Sequence, residues 1–196
     1  MRKIWDCIRF VFARAWNLLV DSENEWQRIA SDNRNAKQTY VMPMILFICL
    51  LALFGAVLSG DSLVVILLRP VLWLIIFLLS IPFAFWVSQF SLKKIYGMEM
   101  PDELNEKIIG YSFTGVFFTR MILALFPNFF FVRVFALFSP YMLRFAMEIL
   151  LPVDNSLLKD EQKYYLYLLV NSLSIVFSPF VIEFCLEKII FQNIVF

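Results

Sequence analysis

Residues 40–90 read YVMPMILFICLLALFGAVLSGDSLVVILLRPVLWLIIFLLSIPFAFWVSQF, two apolar runs separated only by a short polar turn around Gly60. The hydrocarbon core of a bilayer is roughly 30 Å thick and is crossed by about 20 helical residues, so each run is long enough to span it. Three more such runs follow. The five predicted spans are residues 40–58, 63–90, 108–126, 129–151 and 164–191.

Composition supports the same class of protein. The chain has 61% hydrophobic residues and a mean hydropathy of +0.77. We therefore predict an all-α, polytopic membrane helix bundle with five transmembrane helices and an amphipathic helix before them. Residues 39–196 form the predicted five-span domain, and residues 1–38 form a cytoplasmic or interfacial segment.

Basic residues in the loops predict the orientation of the spans. Twelve Lys and Arg precede the first span or lie in the loops after the second and fourth spans, whereas the opposite side has only Lys188. Cytoplasmic loops carry an excess of Lys and Arg. The chain is thus predicted to lie in the cell membrane with its N-terminus in the cytoplasm and its C-terminus outside, as an odd number of spans requires.

The first twenty residues have the pattern of an amphipathic helix. One face is apolar and carries Ile4, Trp5, Cys7, Ile8, Val11, Phe12, Ala15, Trp16, Leu18 and Leu19. The other face carries Arg2, Lys3, Asp6, Arg9, Arg14 and Asn17. A basic face opposite Trp, Phe and Leu is typical of a helix in the membrane interface. Packing of the apolar face on the bundle is the alternative, and the two are compatible.

A second short helix is predicted to begin at Ser22. The sequence Ser-Glu-Asn-Glu has the spacing of a capping box completed by Glu25. This helix would present Trp26 and Ile29 and lead into a polar linker, residues 31–38.

Small residues open the third span at a spacing of four, namely Gly110, Thr114, Gly115 and Thr119. Such pairs allow two helices to approach closely. Tight packing inside the bundle is the favoured interpretation, and a dimerisation face is the alternative.

Charged residues inside the spans are the candidate functional residues, since each costs at least ~2.5 kcal/mol in mid-membrane unless it is paired or hydrated. At about 1.5 Å per residue, five of them fall at one depth near the outer end of the spans. They are Arg69, Arg120, Arg133, Glu183 and Glu187, called here the Arg/Glu cluster. Mutual pairing is the favoured role; a polar pocket or a site for a lipid phosphate is the alternative.

A second pair, Arg144 and Glu148, lies one turn apart near the inner end of the fourth span. Its spacing predicts a local ion pair.

Other classes of function lack support in the sequence. The chain has no histidine, which removes the usual general base and most zinc sites, so no enzyme activity, cofactor or metal is predicted. Cys7, Cys49 and Cys185 are far apart in apolar surroundings and are predicted to be buried structural thiols. The sequence has no basic stripe with interleaved aromatic residues outside the predicted spans, so nucleic-acid binding is not predicted.

Several elements resemble the bacterial branch of the Yip-domain family, relatives of the Ypt/Rab-interacting membrane proteins. These elements are Glu25-Trp26-Gln27-Arg28-Ile29, Gly110-Tyr111-Ser112-Phe113-Thr114 and Leu125-Phe126-Pro127. The first precedes the five spans, the second opens the third span, and the last ends that span, in the order found in the family. The resemblance implies a five-span domain in the bacterial inner membrane. The family's proline after the Tyr-Ser-x-Thr stretch is Gly115 here. The Asp-Leu-Tyr-Gly-Pro element of the eukaryotic members is absent, so binding of prenylated Rab GTPases is not implied.

The leading functional hypothesis is a non-enzymatic membrane protein that organises lipids or membrane partners. Besides the bilayer, its expected partners are a phospholipid head group, another membrane protein or a second copy of the chain. The alternative is a small transporter, channel or lipid-translocating protein that uses the Arg/Glu cluster.

Overall fold

The computed structural model describes residues 2–151 and 160–194, which are almost entirely helical. Four helices in these two ranges are long and apolar enough to cross a membrane, Lys37–Leu58, Leu63–Tyr96, Phe130–Leu150 and Glu161–Leu186. A fifth crossing results if Asp102–Ser112 and Thr114–Leu125 count as one bent span. The predicted all-α membrane helix bundle is therefore confirmed, with four to five crossing helices.

The described elements are all helical. In chain order they are α1 (Arg2–Val20), α2 (Ser22–Ser31), a π-helical segment (Lys37–Val41) continuing into α3 (Met42–Leu58), α4 (Leu63–Tyr96), α5 (Asp102–Ser112), α6 (Thr114–Leu125), a 3₁₀-helix (Phe130–Leu137) continuing into α7 (Phe138–Leu150), and α8 (Glu161–Ile194).

Helix α4 is longer than the second predicted span. It continues past Phe90 to Tyr96 and ends where Gly97 adopts φ +69°, a conformation that favours glycine after a helix. Lys93 and Lys94 therefore belong to the last turn of the helix rather than to a loop. Their charges suit that position because the carbonyl end of a helix attracts cations.

The third predicted span is broken at Phe113, where α5 and α6 meet at 42°. The Thr114 hydroxyl donates a hydrogen bond to the carbonyl of Tyr111 at 2.6 Å, so a side chain competes for a backbone acceptor. That hydroxyl also lies 2.6 Å from the hydroxyl of Tyr40. Because the single hydrogen of Thr114 is already used, Tyr40 is the donor in this second bond, and it ties the bend to the start of the first span.

Helices α4 and α8 are each 34 residues long and pack along one another. Polar side chains join them within the apolar interface. The hydroxyls of Ser88 and Tyr167 are 2.8 Å apart, and Asn171 donates to the Ser91 hydroxyl at 3.1 Å. Hydrogen bonds of this kind hold membrane helices together where burial of apolar surface offers no driving force.

Helix α6 packs closely against the backbones of α3 and of the 3₁₀-helix that continues into α7. A Cβ added to Gly55 would lie 1.8 Å from the carbonyl oxygen of Ala124. One added to Gly115 would lie 2.9 Å from backbone atoms of Phe135 and Ser139. Gly115 and the rest of the predicted small-residue set are buried, which supports packing inside the bundle; the contact at Gly55 was not predicted.

An aromatic cluster joins the N-terminal helices to this core. The rings of Trp26 and Tyr40 lie 6.0 Å and 4.6 Å from that of Tyr111. Trp26 and Ile29 are fully buried, as the pattern of α2 predicts, and α2 packs against α7. The segment before the first span is thus part of the folded core.

Candidate functional site

Four of the five residues of the Arg/Glu cluster line a single cavity of about 240 Å³. Its walls come from α4, α6, the 3₁₀-helix, α8 and the turn before the 3₁₀-helix. The lining residues are Arg69, Trp73, Arg120, Leu123, Pro127, Arg133 and Glu183, and they define what we call the Arg cavity. The side chain of Glu187, the fifth predicted member, lies outside the described residues.

Arg120 and Glu183 form the central ion pair of the Arg cavity. Nη1 of Arg120 lies 2.7 Å from both carboxylate oxygens of Glu183. Arg120 is only 1% exposed, and its guanidinium lies 5.3 Å and 4.5 Å from the rings of Trp73 and Phe180. The pairing predicted for the cluster is therefore present between α6 and α8, and two aromatic rings add cation–π contacts to it.

Arg69 is paired with a residue that the sequence did not suggest. Its Nη2 lies 2.8 Å from Oδ2 of Asp61 in the turn before α4, so it does not depend on the glutamates of α8. Asp61 was overlooked because it was treated as part of a loop. The pair could have been predicted from an acidic residue that stands just before a span and an arginine in the second turn of the same span.

Arg133 differs from the other two arginines. Its side chain is exposed and its guanidinium lies 5.4 Å from the ring of Phe180. Within residues 2–151 and 160–194, no described carboxylate forms an ion pair with it. The cavity is therefore lined by three guanidinium groups and one described carboxylate, that of Glu183. Asp61 pairs with Arg69 from outside this lining.

The predicted inner pair lies apart from this cavity. Nε of Arg144 is 2.9 Å from Oε1 of Glu148, with side chains 61% and 36% exposed. The hydroxyl of Tyr164 on α8 also donates to Glu148, at 3.5 Å. Exposed ion pairs contribute little to stability because water screens them, so this one is a local contact.

A second charged network lies at the N-terminal helices, where the prediction for Arg14 was wrong. Arg14 was assigned to the polar face of α1, yet it is 8% exposed. It pairs with Glu25 at 2.9 Å and with Asp32 at 3.3 Å. The carboxylates of α2 and of the linker lie over this side of α1, so they bury a cation that the helical wheel assigned to the polar face.

The capping box predicted at Ser22 is also not formed. The Ser22 hydroxyl donates to the carbonyl of Leu18, and Glu25 binds Arg14 rather than the start of its own helix. The tertiary ion pair therefore replaces the local cap. In the same network, the Arg34 side chain binds the carboxylate of Asp32 and lowers the pKa of Asp32 from 3.8 to about 2.

Helix α1 buries one stripe and exposes another. Val11, Ala15 and Leu18 are buried. Trp5 and Trp16 are 69% and 61% exposed. Half of the predicted apolar face therefore packs on the bundle, while the two tryptophans remain available for contact with a membrane or a partner.

The cysteines do not match their prediction. Cys7 and Cys185 are exposed, and Cys49 is half-buried. In a membrane protein, apolar surroundings in sequence include positions that face lipid, so apolar neighbours did not imply burial.

No family model matches this sequence, and comparisons with curated proteins and with solved structures find no match.

Proposed function

We propose that this chain is a non-enzymatic integral membrane protein of the Yip-like kind, which organises lipids or membrane partners through α1. In this proposal α1 lies in the interface of the cytoplasmic leaflet of a bacterial inner membrane. The C-terminus of α8 lies outside.

The observation that carries the proposal is that one side of α1 is buried against the bundle while another side is exposed. The stripe that includes Leu18 is fixed to the bundle, whereas Trp5, Ile8 and Trp16 are exposed beside the exposed Arg9. Tryptophan is favoured at membrane interfaces because its ring is apolar and its N–H is polar. A helix held in this way presents an apolar strip at a fixed depth, which suits it to order lipid or to receive a partner.

Contacts at the same end of the bundle support the proposed orientation. Lys107 donates to the carbonyl of Asp32, and Asn35 donates to Glu106. The basic N-terminal segment and the loop that leads into α5 are therefore on one side. These are two of the three regions that contain the excess of Lys and Arg, as the cytoplasmic side requires.

Extraction with surrounding lipid tests the proposal. The protein is taken from its membrane in copolymer discs, and the lipids and proteins recovered with it are identified. We expect a reproducible lipid or protein to accompany the wild type, to be lost with Trp16→Glu and to be kept with Ala13→Glu. The control places the same charge at another exposed position of α1. A monodisperse protein that recovers neither partner would count against an organising role.

Transport or lipid translocation is a second candidate, favoured by the polar lining of the Arg cavity. Flux through reconstituted liposomes is compared between wild type, Arg120→Ala and Glu183→Ala, after each variant has been shown to elute as folded protein. Flux that is lost in the variants supports this candidate. Flux of the wild type equal to that of empty liposomes removes it.

A further inference from the structure

We propose that the Arg cavity binds a terminal phosphate group, one without a second ester bond, carried by a phosphomonoester lipid head group or present as free phosphate. This site goes beyond the proposed role of α1, because it lies on other elements and neither proposal depends on the other.

The arginines that line the cavity come from three separate elements. Arg69 is on α4, Arg120 on α6 and Arg133 on the 3₁₀-helix. A guanidinium presents its N–H donors in a planar fork that matches the oxygens of phosphate, which is why arginine is favoured at phosphate sites. Three such forks on one cavity offer more donors than two local ion pairs require.

The lining carboxylate does not prevent an anion from binding. Both oxygens of Glu183 are bound to Nη1 of Arg120 at 2.7 Å, so its charge is already compensated. Asp61 compensates Arg69 in the same way. Among the described side chains the guanidinium of Arg133 has no carboxylate partner, so the described groups at the cavity carry a net positive charge.

The second group available to an anion is on Arg69. Its Nη1 is buried and has no hydrogen-bond acceptor among the described residues. A donor left without an acceptor in a buried place costs free energy, and a phosphate oxygen would satisfy it. Arg69 and Arg133 thus supply the donors that an anion could bind, while Arg120 and Glu183 are bound to each other.

The apolar walls strengthen this attraction. Trp73, Leu123 and Pro127 line the same cavity, and they exclude water from part of it. Electrostatic attraction increases as the local dielectric falls. A volume of about 240 Å³ leaves room for a small polyatomic anion beside these walls.

Binding of defined probes to the full-length protein in neutral detergent tests the proposal. The probes are phosphatidic acid, phosphatidylcholine with the same acyl chains, and inorganic phosphate, and the bound fraction is measured by native mass spectrometry. We expect phosphatidic acid to bind at least about tenfold more tightly than phosphatidylcholine, a factor within reach of one hydrogen bond to a charged group. Binding of inorganic phosphate as well would indicate that the phosphate group alone is recognised; binding of phosphatidic acid only would indicate a lipid head group.

Variants locate the site. Arg133→Gln should weaken the binding of phosphatidic acid on the order of tenfold. Arg133→Lys should weaken it less, because the charge remains and the fork is lost. Arg144→Gln removes an exposed arginine outside the Arg cavity and should change binding less than twofold. Because Arg133 is exposed, its replacement leaves the buried pair intact, and size-exclusion chromatography checks that each variant is folded.

Two results would overturn the proposal. In the first, neither phosphatidic acid nor inorganic phosphate binds better than phosphatidylcholine. In the second, Arg133→Gln and Arg144→Gln weaken binding equally, which would place the anion on general surface charge rather than in the Arg cavity.

Discussion

Reversal of the buried ion pair is expected to show how much the contact between α6 and α8 contributes to stability. Arg120→Glu places a second carboxylate against Glu183, at a position only 1% exposed. Removal of one partner from a buried pair typically costs about 3–5 kcal/mol, and the added repulsion puts this variant at or above the upper end of that range.

Addition of Glu183→Arg to that variant should restore part of the loss. The attraction returns, but the cation no longer lies near the rings of Trp73 and Phe180, at 5.3 Å and 4.5 Å. Those cation–π contacts are worth about 0.5–2 kcal/mol together with their desolvation. We therefore expect the double variant to recover about half of the loss, about 2 kcal/mol. The coupling energy should be larger than this recovered amount, because Glu183→Arg alone is also destabilising.

The assay is reversible unfolding of the four proteins in a graded series of sodium dodecyl sulfate, followed by tryptophan fluorescence. The same cycle on Arg144 and Glu148 is the matched control, since that pair is exposed and should show a much smaller coupling than the buried pair. Purely additive losses at Arg120 and Glu183, or equal coupling in the two cycles, would refute the assignment of a buried structural pair.

Three further predictions follow from individual contacts. Gly55→Ala should destabilise the protein by about 1–3 kcal/mol in the same unfolding assay, because the new Cβ would lie 1.8 Å from a backbone carbonyl oxygen. Gly110→Ala is the control and should lower the stability less, because its Cβ meets only a side-chain carbon of a valine. Asp32 has its pKa lowered to about 2 by Arg34, so its contribution is complete above pH 4 and is lost as the pH falls toward 2. The wild type should lose on the order of 1 kcal/mol over that range, since Arg34 is half exposed and screened, and Asp32→Asn should not show this loss when unfolding is measured at both pH values. Tyr40→Phe removes the hydrogen bond at the bend between α5 and α6 and should lower stability by about 1 kcal/mol without changing the helical circular dichroism.

Sequence alone predicted the class of fold because hydrocarbon permits few structures. A spanning segment must satisfy its own backbone hydrogen bonds, so a long apolar run becomes a helix. The same rule does not determine where a helix bends or ends. The break at Phe113 depends on the Thr114 side chain and on a partner 74 residues away, and the end of α4 depends on the positive φ of Gly97.

For the candidate site, the depth of the charged residues in the membrane was predictable from sequence, but their partners were not. The helical rise places Arg120 and Glu183 at similar distances from the ends of their spans, and they do meet in the structure. Rotation of each helix about its axis is set by packing, which periodicity does not reveal for helices that are apolar on all sides. The partner of Arg69 was missed because Asp61 was treated as part of a loop, and Arg14 was misplaced because two acidic groups from outside α1 lie over it.

The burial of Trp26 has a consequence for how the protein is assembled during synthesis. Trp26 belongs to α2, which packs against α7, and more than a hundred residues of chain separate it from the start of α7 at Phe138. Ribosomes add about 5–20 residues per second, so α2 is complete on the order of 10 s before the helix against which it packs. The N-terminal helices thus leave the ribosome well before α7 and reach their final contacts late.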